Sequence, residues 1–241
     1  MSNPVRIGIA GITGRMGREV SELAKNDPRI EIAGGYGRQD SVEDLTALLA
    51  QVDVLLDFTL PEATVELAEA ASEARVPLLC GVTGLGTSEI AALEAAAAVI
   101  PVRWSRNLSL GLPIVADLVR QLSAALSGFD IEIVEAHHRG KLEAPSGTAL
   151  ILAEAIAEGR DQNLNDHAIY GRHGVAPRQP GEIGIHAMRA GSLPGEHMIL
   201  FAGEDEELRI THRAMSRTAF ARGAIEVAIG MPAQPIGLIR T

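Results

Sequence analysis

The pattern of apolar positions in the first hundred residues alternates between short hydrophobic runs and amphipathic stretches. Runs that predict buried strands lie at residues 5–10, 30–35, 52–58, 76–82 and 100–104. Helical patterns begin between them near Arg15, Pro61 and Thr87. A repeated strand–helix order of this kind predicts a parallel sheet covered by helices.

The pattern changes after residue 104. Turn residues at 107–111 end the alternation, and a helix is predicted at about 112–126. Further elements follow as a strand at 130–136, a helix at 146–157, three close strands at 184–190, 196–202 and 207–212, and a helix at 218–229. Such clustering predicts an α+β domain. The stretch 159–181 exceeds an ordinary connection and is expected to be a flexible loop.

Composition agrees with two domains of the α/β class. The chain has 241 residues, of which 46% are hydrophobic, only 3% are aromatic and 25 are glycine. This balance fits buried parallel strands and aliphatic helices better than a β-sandwich. We therefore predict a chain of the α/β class, with a Rossmann-like parallel-sheet domain followed by an α+β domain.

Charge and cysteine content narrow the function classes. A net charge of −10 argues against nucleic-acid and anionic-membrane partners, because both require clustered Lys and Arg. The single cysteine, Cys80, cannot form an internal disulfide, and no charged-then-apolar leader precedes the first strand. No stretch approaches the roughly 20 apolar residues that span a bilayer. A cytoplasmic enzyme is expected.

A glycine-rich loop follows the first predicted strand. Gly11, Gly14 and Gly17 are spaced by three residues and lead into a helix. Glycines let backbone N–H groups approach a pyrophosphate, and the helix N-terminus carries a partial positive charge towards it. The loop predicts a dinucleotide site; a tight strand–helix turn without a ligand is the alternative.

The end of the second strand bears on the choice of nucleotide. NAD sites usually place Asp or Glu there to hold the ribose hydroxyls, whereas this chain has Tyr36, Gly37 and Arg38. Arg38 suits a 2′-phosphate, which favours NADPH or dual use of NADPH and NADH. The alternative is a solvated loop charge.

The densest chemistry lies between a strand and a helix, at residues 135–149. His137, His138, Arg139 and Lys141 form a basic patch, in which His can exchange a proton and Lys can donate one. The segment Ser146-Gly147-Thr148 begins a helix and suits a carboxylate. No metal site is predicted, because adjacent histidines point to different sides of a strand and no Cys joins them. A solvated charge run with a helix cap is the alternative.

The same segment resembles the signature of the 4-hydroxy-tetrahydrodipicolinate reductase family, E-A-H-H-x-x-K-x-x-A-P-S-G-T-A. The resemblance extends over essentially the whole chain. Further similar motifs are G-x-x-G-R-M-G at 11–17, D-F-T-x-P-E at 57–62, a G-V-T-G segment at 81–84, N-x-S-x-G at 107–111, R-A-G-x-x-x-G-E-H at 189–197 and I-T-H-x-A-x-S-R at 210–217.

The resemblance implies roles for individual residues. His137 would be the catalytic acid/base and Lys141 the proton donor. The substrate's carboxylates would be held by His138, Ser146, Gly147 and Thr148. The nucleotide would be bound by Gly11, Ile12, Thr13, Gly14, Arg15, Met16, Gly81, Val82, Thr83, Ser105, Arg106, Asn107 and Leu108. Arg38 joins this set through its own charge, which suits a 2′-phosphate, and not through the resemblance.

The resemblance also implies domain roles and a reaction. Residues 1–108, completed by 217–241, would bind the dinucleotide, and residues 109–216 would bind substrate and form a homotetramer. The reaction would be NAD(P)H-dependent reduction of (2S,4S)-4-hydroxy-2,3,4,5-tetrahydrodipicolinate to (S)-2,3,4,5-tetrahydrodipicolinate in lysine and diaminopimelate biosynthesis. The family's usual acid after the second strand is replaced by Gly37, so the choice between NADH and NADPH stays open.

Two other functions fit parts of the pattern. One is a two-domain reductase that acts on a different small dicarboxylate or imine. The other is a nucleotide-binding sensor or scaffold that has lost catalysis. The presence together of His137, Lys141 and the segment 146–148 argues against both, since neither requires this set.

Overall fold

The computed structural model describes residues 3–241, and these form two compact units. The first unit comprises the chain up to Ser109 together with Arg217–Thr241, and the second comprises Leu110–Ser216. Within residues 3–241, no helix combines the length and apolar character that crossing a membrane requires.

The first unit is a six-stranded, wholly parallel sheet with helices on both faces. Its strands are β1 (Val5–Ala10), β2 (Ile30–Tyr36), β3 (Val54–Asp57), β4 (Leu78–Cys80), β5 (Pro101–Trp104) and β11 (Gly237–Arg240). They lie in the order β11-β5-β4-β3-β1-β2. Its helices are α1 (Arg15–Ala24), α2 (Val42–Leu49), α3 (Pro61–Glu73), α4 (Thr87–Ala97) and α8 (Thr218–Gly230). The predicted Rossmann-like fold is confirmed.

Alternate residues of these strands supply two cores. In β3, Leu55 packs in a cluster with residues of α2, α3 and α4, whereas Val54 and Leu56 pack in a second cluster with residues of α1 and α8. In β4, Leu78 and Leu79 divide in the same way. Because successive side chains of a strand point to opposite faces, continuous apolar runs are what a sheet covered on both faces needs.

The second unit is a mixed five-stranded sheet in the order β10-β9-β6-β8-β7. Its strands are β6 (Asp130–His137), β7 (Ala168–Tyr170), β8 (Ile183–Arg189), β9 (Glu196–Ala202) and β10 (Glu207–Arg213), and its helices are α5 (Gly111–Ala125), α6 (Gly147–Gly159) and α7 (Leu164–His167). Strand β6 pairs parallel to β8 and antiparallel to β9. The predicted α+β architecture is confirmed.

Segment 159–181 differs from the expected flexible loop, because it carries α7 and the short strand β7. Ion pairs tie the rest of it to the sheet. Arg172 contacts Glu182 at 2.7 Å and Arg178 contacts Glu132, which also accepts from His186 Nε2 at 2.6 Å. Three-residue strands have no periodicity of their own, so β7 becomes visible only through its pairing with β8.

Candidate active site

The glycine-rich loop joins β1 to α1 with its helix start open. Gly11 has φ +79°, and a Cβ atom there would lie 2.7 Å from the carbonyl oxygen of Phe58, so this position requires glycine. The N-cap of α1 is Gly14, which offers no side-chain hydrogen bond, and the first turn holds no acidic residue. The unpaired N–H groups and the positive end of the helix dipole thus suit an anion.

The other predicted nucleotide-binding residues follow neighbouring strands. Arg38 follows β2, Gly81–Thr83 follow β4, and Ser105–Leu108 follow β5. All these strands are parallel, so the loops that follow them lie at one edge of the sheet, together with Gly11–Met16. Strand β1 lies between β2 and β3, which is the switch point in strand order where open α/β sheets bind ligands.

A buried carboxylate stabilises the turn after β3, at this same edge of the sheet. It was not singled out from the sequence. Asp57 ends β3 and is fully buried. Its Oδ1 accepts from Thr59 N at 2.9 Å and from Thr59 Oγ1 at 2.6 Å, and its Oδ2 accepts from Thr64 Oγ1 at 3.1 Å. Burial raises the pKa of Asp57 despite these donors. The carboxylate fixes the turn that packs against Gly11.

The turn after β2 contains a carboxylate after all. Gly37 N donates to Asp40 Oδ2 at 2.8 Å, and Asp40 N donates to Gly37 O at 3.1 Å. The same oxygen is 3.7 Å from the place where a Cβ of residue 37 would be. Arg38 is exposed in this turn. Residue 37 itself is therefore not acidic, but the folded turn places the carboxylate of Asp40 beside it.

In the second unit, His137 is the last residue of β6 and is buried. Its Nδ1 lies 2.6 Å from Oε2 of Glu135, two residues earlier on the same strand face. On the other side of the ring, Nε2 is 3.0 Å from where a Cβ of Gly195 would stand. Gly195, at φ +147°, has no side chain in that place, and this nitrogen is therefore left open.

Glu135 is the centre of a hydrogen-bonded cluster that sequence reasoning missed. Arg189 grips its carboxylate with NH1 to Oε2 and NH2 to Oε1, both at 2.8 Å. Ser146 N donates to Oε1 at 3.0 Å. Burial alone would raise the pKa of Glu135, but the hydrogen bonds from His137 and Arg189 lower it to about 2. The carboxylate is therefore ionised. The R-A-G motif contained the signal for Arg189.

His197 was also missed, although the motif G-E-H ends on it. Its Nε2 lies 2.9 Å from Ser146 Oγ, and its ring meets that of His137 edge-to-face, with centroids 5.2 Å apart. Burial, followed by the proximity of His137, lowers the pKa of His197 to about 3. A neutral imidazole therefore stands beside His137 at neutral pH.

The segment between β6 and α6 carries the predicted proton donor. The ammonium group of Lys141 donates to the carboxylate of Glu143, and Lys141 N donates to His138 O at 3.1 Å. Burial opposes ionisation of Glu143, but this donation from Lys141 lowers its pKa. Lys141 is thus held in an ion pair in this structure.

The start of α6 adjoins the same cluster. Ser146 is the N-cap, and its Oγ accepts from Ala149 N at 3.1 Å. The first turn contains no acidic residue, and Thr148 is buried. The structure therefore brings Ser146 to His137 through Glu135 and His197, with Gly147 and Thr148 directly following in the helix. Within residues 3–241, no group of His, Cys, Asp or Glu side chains is arranged to hold a metal ion.

Fold and site together define an NAD(P)H-dependent oxidoreductase with a Rossmann-like unit and a separate α+β unit. Family models described as the N-terminus and the C-terminus of dihydrodipicolinate reductase match residues 5–108 and 111–240. The chain belongs to the dihydrodipicolinate reductase family, as its motifs predicted.

Relatives named 4-hydroxy-tetrahydrodipicolinate reductase match nearly the whole chain. That of Rubrobacter xylanophilus is 45% identical, over 96% of this chain and 95% of its own. That of Caulobacter vibrioides is 46% identical, over 99% and 96%. The solved dipicolinate-bound dihydrodipicolinate reductase from Paenisporosarcina sp. TG-14 has a TM-score of 0.75 at 24% identity, covering 98% and 97%, which shows the shared fold.

Proposed function

We propose that this protein is a 4-hydroxy-tetrahydrodipicolinate reductase. It reduces (2S,4S)-4-hydroxy-2,3,4,5-tetrahydrodipicolinate, in its dehydrated form, to (S)-2,3,4,5-tetrahydrodipicolinate with NAD(P)H, in lysine and diaminopimelate biosynthesis. The observation that carries the proposal is the basic segment after β6. It places a hydrogen-bonded His137, Lys141 and the uncharged start of α6 in one part of a chain whose net charge is −10.

The two units divide the work. The first, with the open start of α1 at its glycine-rich loop, binds the nucleotide, whose nicotinamide supplies the hydride. Its contacts are Gly11 to Met16, Arg38, Gly81 to Thr83 and Ser105 to Leu108. The second unit binds the substrate, with His138, Ser146, Gly147 and Thr148 at its carboxylates. His137 is the acid/base and Lys141 donates the proton that completes the reduction.

A coupled assay tests the reaction. Product of the preceding aldol synthase is supplied with NADH or NADPH, and the nicotinamide absorbance is followed. Turnover of this substrate, without turnover of other small dicarboxylates or imines, supports the proposal. His137→Gln and Lys141→Ala should each lower kcat about 10²- to 10⁴-fold, since they remove a positioned acid or base. Near-normal turnover in either variant would contradict its assigned role.

Carboxylate binding at the start of α6 is tested with a planar mimic. The fold relative from Paenisporosarcina is bound to dipicolinate. Pyridine-2,6-dicarboxylate should therefore compete with substrate here, and Thr148→Val should weaken both. Thr211→Val, at an exposed threonine of β10, is the matched control. Unchanged inhibition and KM in Thr148→Val would move the carboxylate site elsewhere.

For the nucleotide, we propose dual use with a modest bias to NADPH. Exposed Arg38 can bond to a 2′-phosphate in competition with water, a gain of about 1 kcal/mol or less than tenfold. The Asp40 carboxylate at Gly37 can accept from ribose hydroxyls, which keeps NADH usable. The ratio of kcat/KM with NADPH to kcat/KM with NADH should fall in Arg38→Ala and in Gly37→Glu. It should not change in Arg222→Ala on α8. Strong NADH preference in the wild type, or an unchanged ratio in Arg38→Ala, would contradict this.

We also propose a homotetramer assembled through the second unit. Ile131, Ile133 and their neighbours face α5 and α6, so the alternate residues face away. On that face Val134, Met198 and Leu200 are only partly buried. Light scattering should give four times the chain mass, and Met198→Lys should lower it.

A further inference from the structure

The carboxylate of Glu135 uses both oxygens to join three segments of the second unit. It accepts from His137 on its own strand, from Arg189 on β8 and from the backbone of Ser146 at the start of α6. We propose that Glu135, held by Arg189, is the positioning residue that fixes the tautomer and orientation of His137 for proton transfer. This inference rests on the proposed function, because it assigns His137 the acid/base role.

The chemistry of the hydrogen bond sets the tautomer. An ionised carboxylate has no proton to give, so at 2.6 Å it is His137 Nδ1 that donates. Neutral His137 must then hold its proton on Nδ1 and present a lone pair on Nε2. That nitrogen is the one beside Gly195, where the missing side chain leaves room. Proton transfer is thereby assigned to Nε2.

Arg189 stabilises the ionised carboxylate of Glu135, although that carboxylate is buried. A lone buried carboxylate would take up a proton, and a protonated Glu135 could donate to Nδ1 and reverse the tautomer. Two bonds at 2.8 Å from the guanidinium keep the charge in place. Arg189 NH2 also donates to Glu143 O at 2.6 Å, so the same side chain joins the cluster to the segment that carries Lys141.

Charged and titratable side chains approach His137 from several elements of the second unit. Glu135 lies on β6, Arg189 on β8, His197 on β9, and Lys141 with Glu143 in the segment before α6. His197 is neutral at neutral pH and contacts Ser146 rather than Glu135. Glu135 is therefore the anion that forms a hydrogen bond with His137.

The strand provides a matched control for a kinetic test. Glu132 is also on β6, accepts from His186 at 2.6 Å and is paired with arginine, but it lies on the opposite sheet face. Glu135→Gln should lower kcat about 10- to 100-fold with KM within about twofold, as loss of an orienting partner does. Glu132→Gln should change neither.

A second measurement reads the tautomer without turnover. In protein labelled with ¹⁵N-histidine, two-bond ¹H–¹⁵N spectra should show neutral His137 protonated at Nδ1. The signal is assigned by its loss in His137→Gln. In Glu135→Gln the Nε2–H form should appear. If removing one charge prevents folding, the double variant Glu135→Gln/Arg189→Gln removes both and should show the same change.

The outcomes separate the two proposals. A wild type without turnover of the substrate overturns the proposed function, while the spectra still decide the positioning role. Normal wild-type turnover, combined with an unchanged tautomer and an unchanged kcat in the Glu135 variants, overturns the positioning role alone. A wild-type His137 protonated at Nε2 overturns it as well.

Discussion

Replacing His197 should make the protein less sensitive to acid. The ring is buried between Ser146 and His137, and burial lowers its pKa to about 3 from an ordinary 6.5. In the unfolded chain the same imidazole protonates near 6.5. The unfolded state therefore binds more protons between these values, and stability must fall as the pH drops through that interval. His197→Gln keeps a polar partner for Ser146 but cannot titrate.

The size of the effect follows from the two pKa values. Between pH 7 and pH 4.5 the unfolded ring goes from about a quarter protonated to almost fully protonated while the folded ring stays neutral, which corresponds to a loss of about 2.5 kcal/mol. Glu135 contributes little to the change in stability between pH 7 and pH 4.5. Its pKa is about 2 in the folded state and about 4.5 in the unfolded state, so its stabilising contribution is lost only below pH 4.5. A loss of about 2.5 kcal/mol lowers Tm by about 5–10 °C in a chain of this size.

Thermal melts at pH 7 and pH 4.5 provide the measurement. The difference in Tm between the two pH values should be smaller in His197→Gln than in the wild type by about 5–10 °C. His186→Gln is the control, because that histidine is about a third exposed and paired with Glu132. Equal acid sensitivity in His197→Gln and the wild type would show that the buried ring does not govern the response.

Two glycine substitutions test the openings beside the proposed sites. Gly195→Ala should lower kcat more than about tenfold, because its methyl group would stand 3.0 Å from His137 Nε2. Gly191→Ala, with positive φ but open space, controls for backbone strain in the same assay. Gly11→Ala should weaken nucleotide binding at least about tenfold in titrations, because its methyl group would contact a backbone carbonyl after β3. Gly84→Ala, also with positive φ and open space, should bind normally.

Features that depend on neighbouring residues could be predicted from the sequence. The strands of the first unit follow from continuous apolar runs, and the open start of α1 follows from Gly11 and Gly14. The start of α6 is visible because Ser146 is a preferred N-cap residue and the apolar run 149–153 follows it within one turn. In each case the signal lies within a few positions of the element that it defines.

Features that depend on strand register could not be predicted from the sequence. Glu135 meets Arg189, 54 residues away, only because β6 and β8 pair in parallel with His137 opposite Arg189. His197 reaches the cluster through the antiparallel pairing of β9 with β6. The short strand β11 likewise has no pattern of its own and is defined by its partner β5. The sequence contains these residues in motifs but not the distances between them.

The division of the chain has a consequence for its synthesis. The second unit is continuous, whereas the first needs α8 to complete one of its two cores, with Ala221, Ala224 and Ala228 fully buried. During translation, residues 110–216 are therefore completed while one face of the earlier sheet still lacks α8 and is covered only in part. Domains usually fold in the order in which they are translated. Here the later segment is complete before the earlier unit, and part of that apolar face stays without its helix until residues 218–230 have been added.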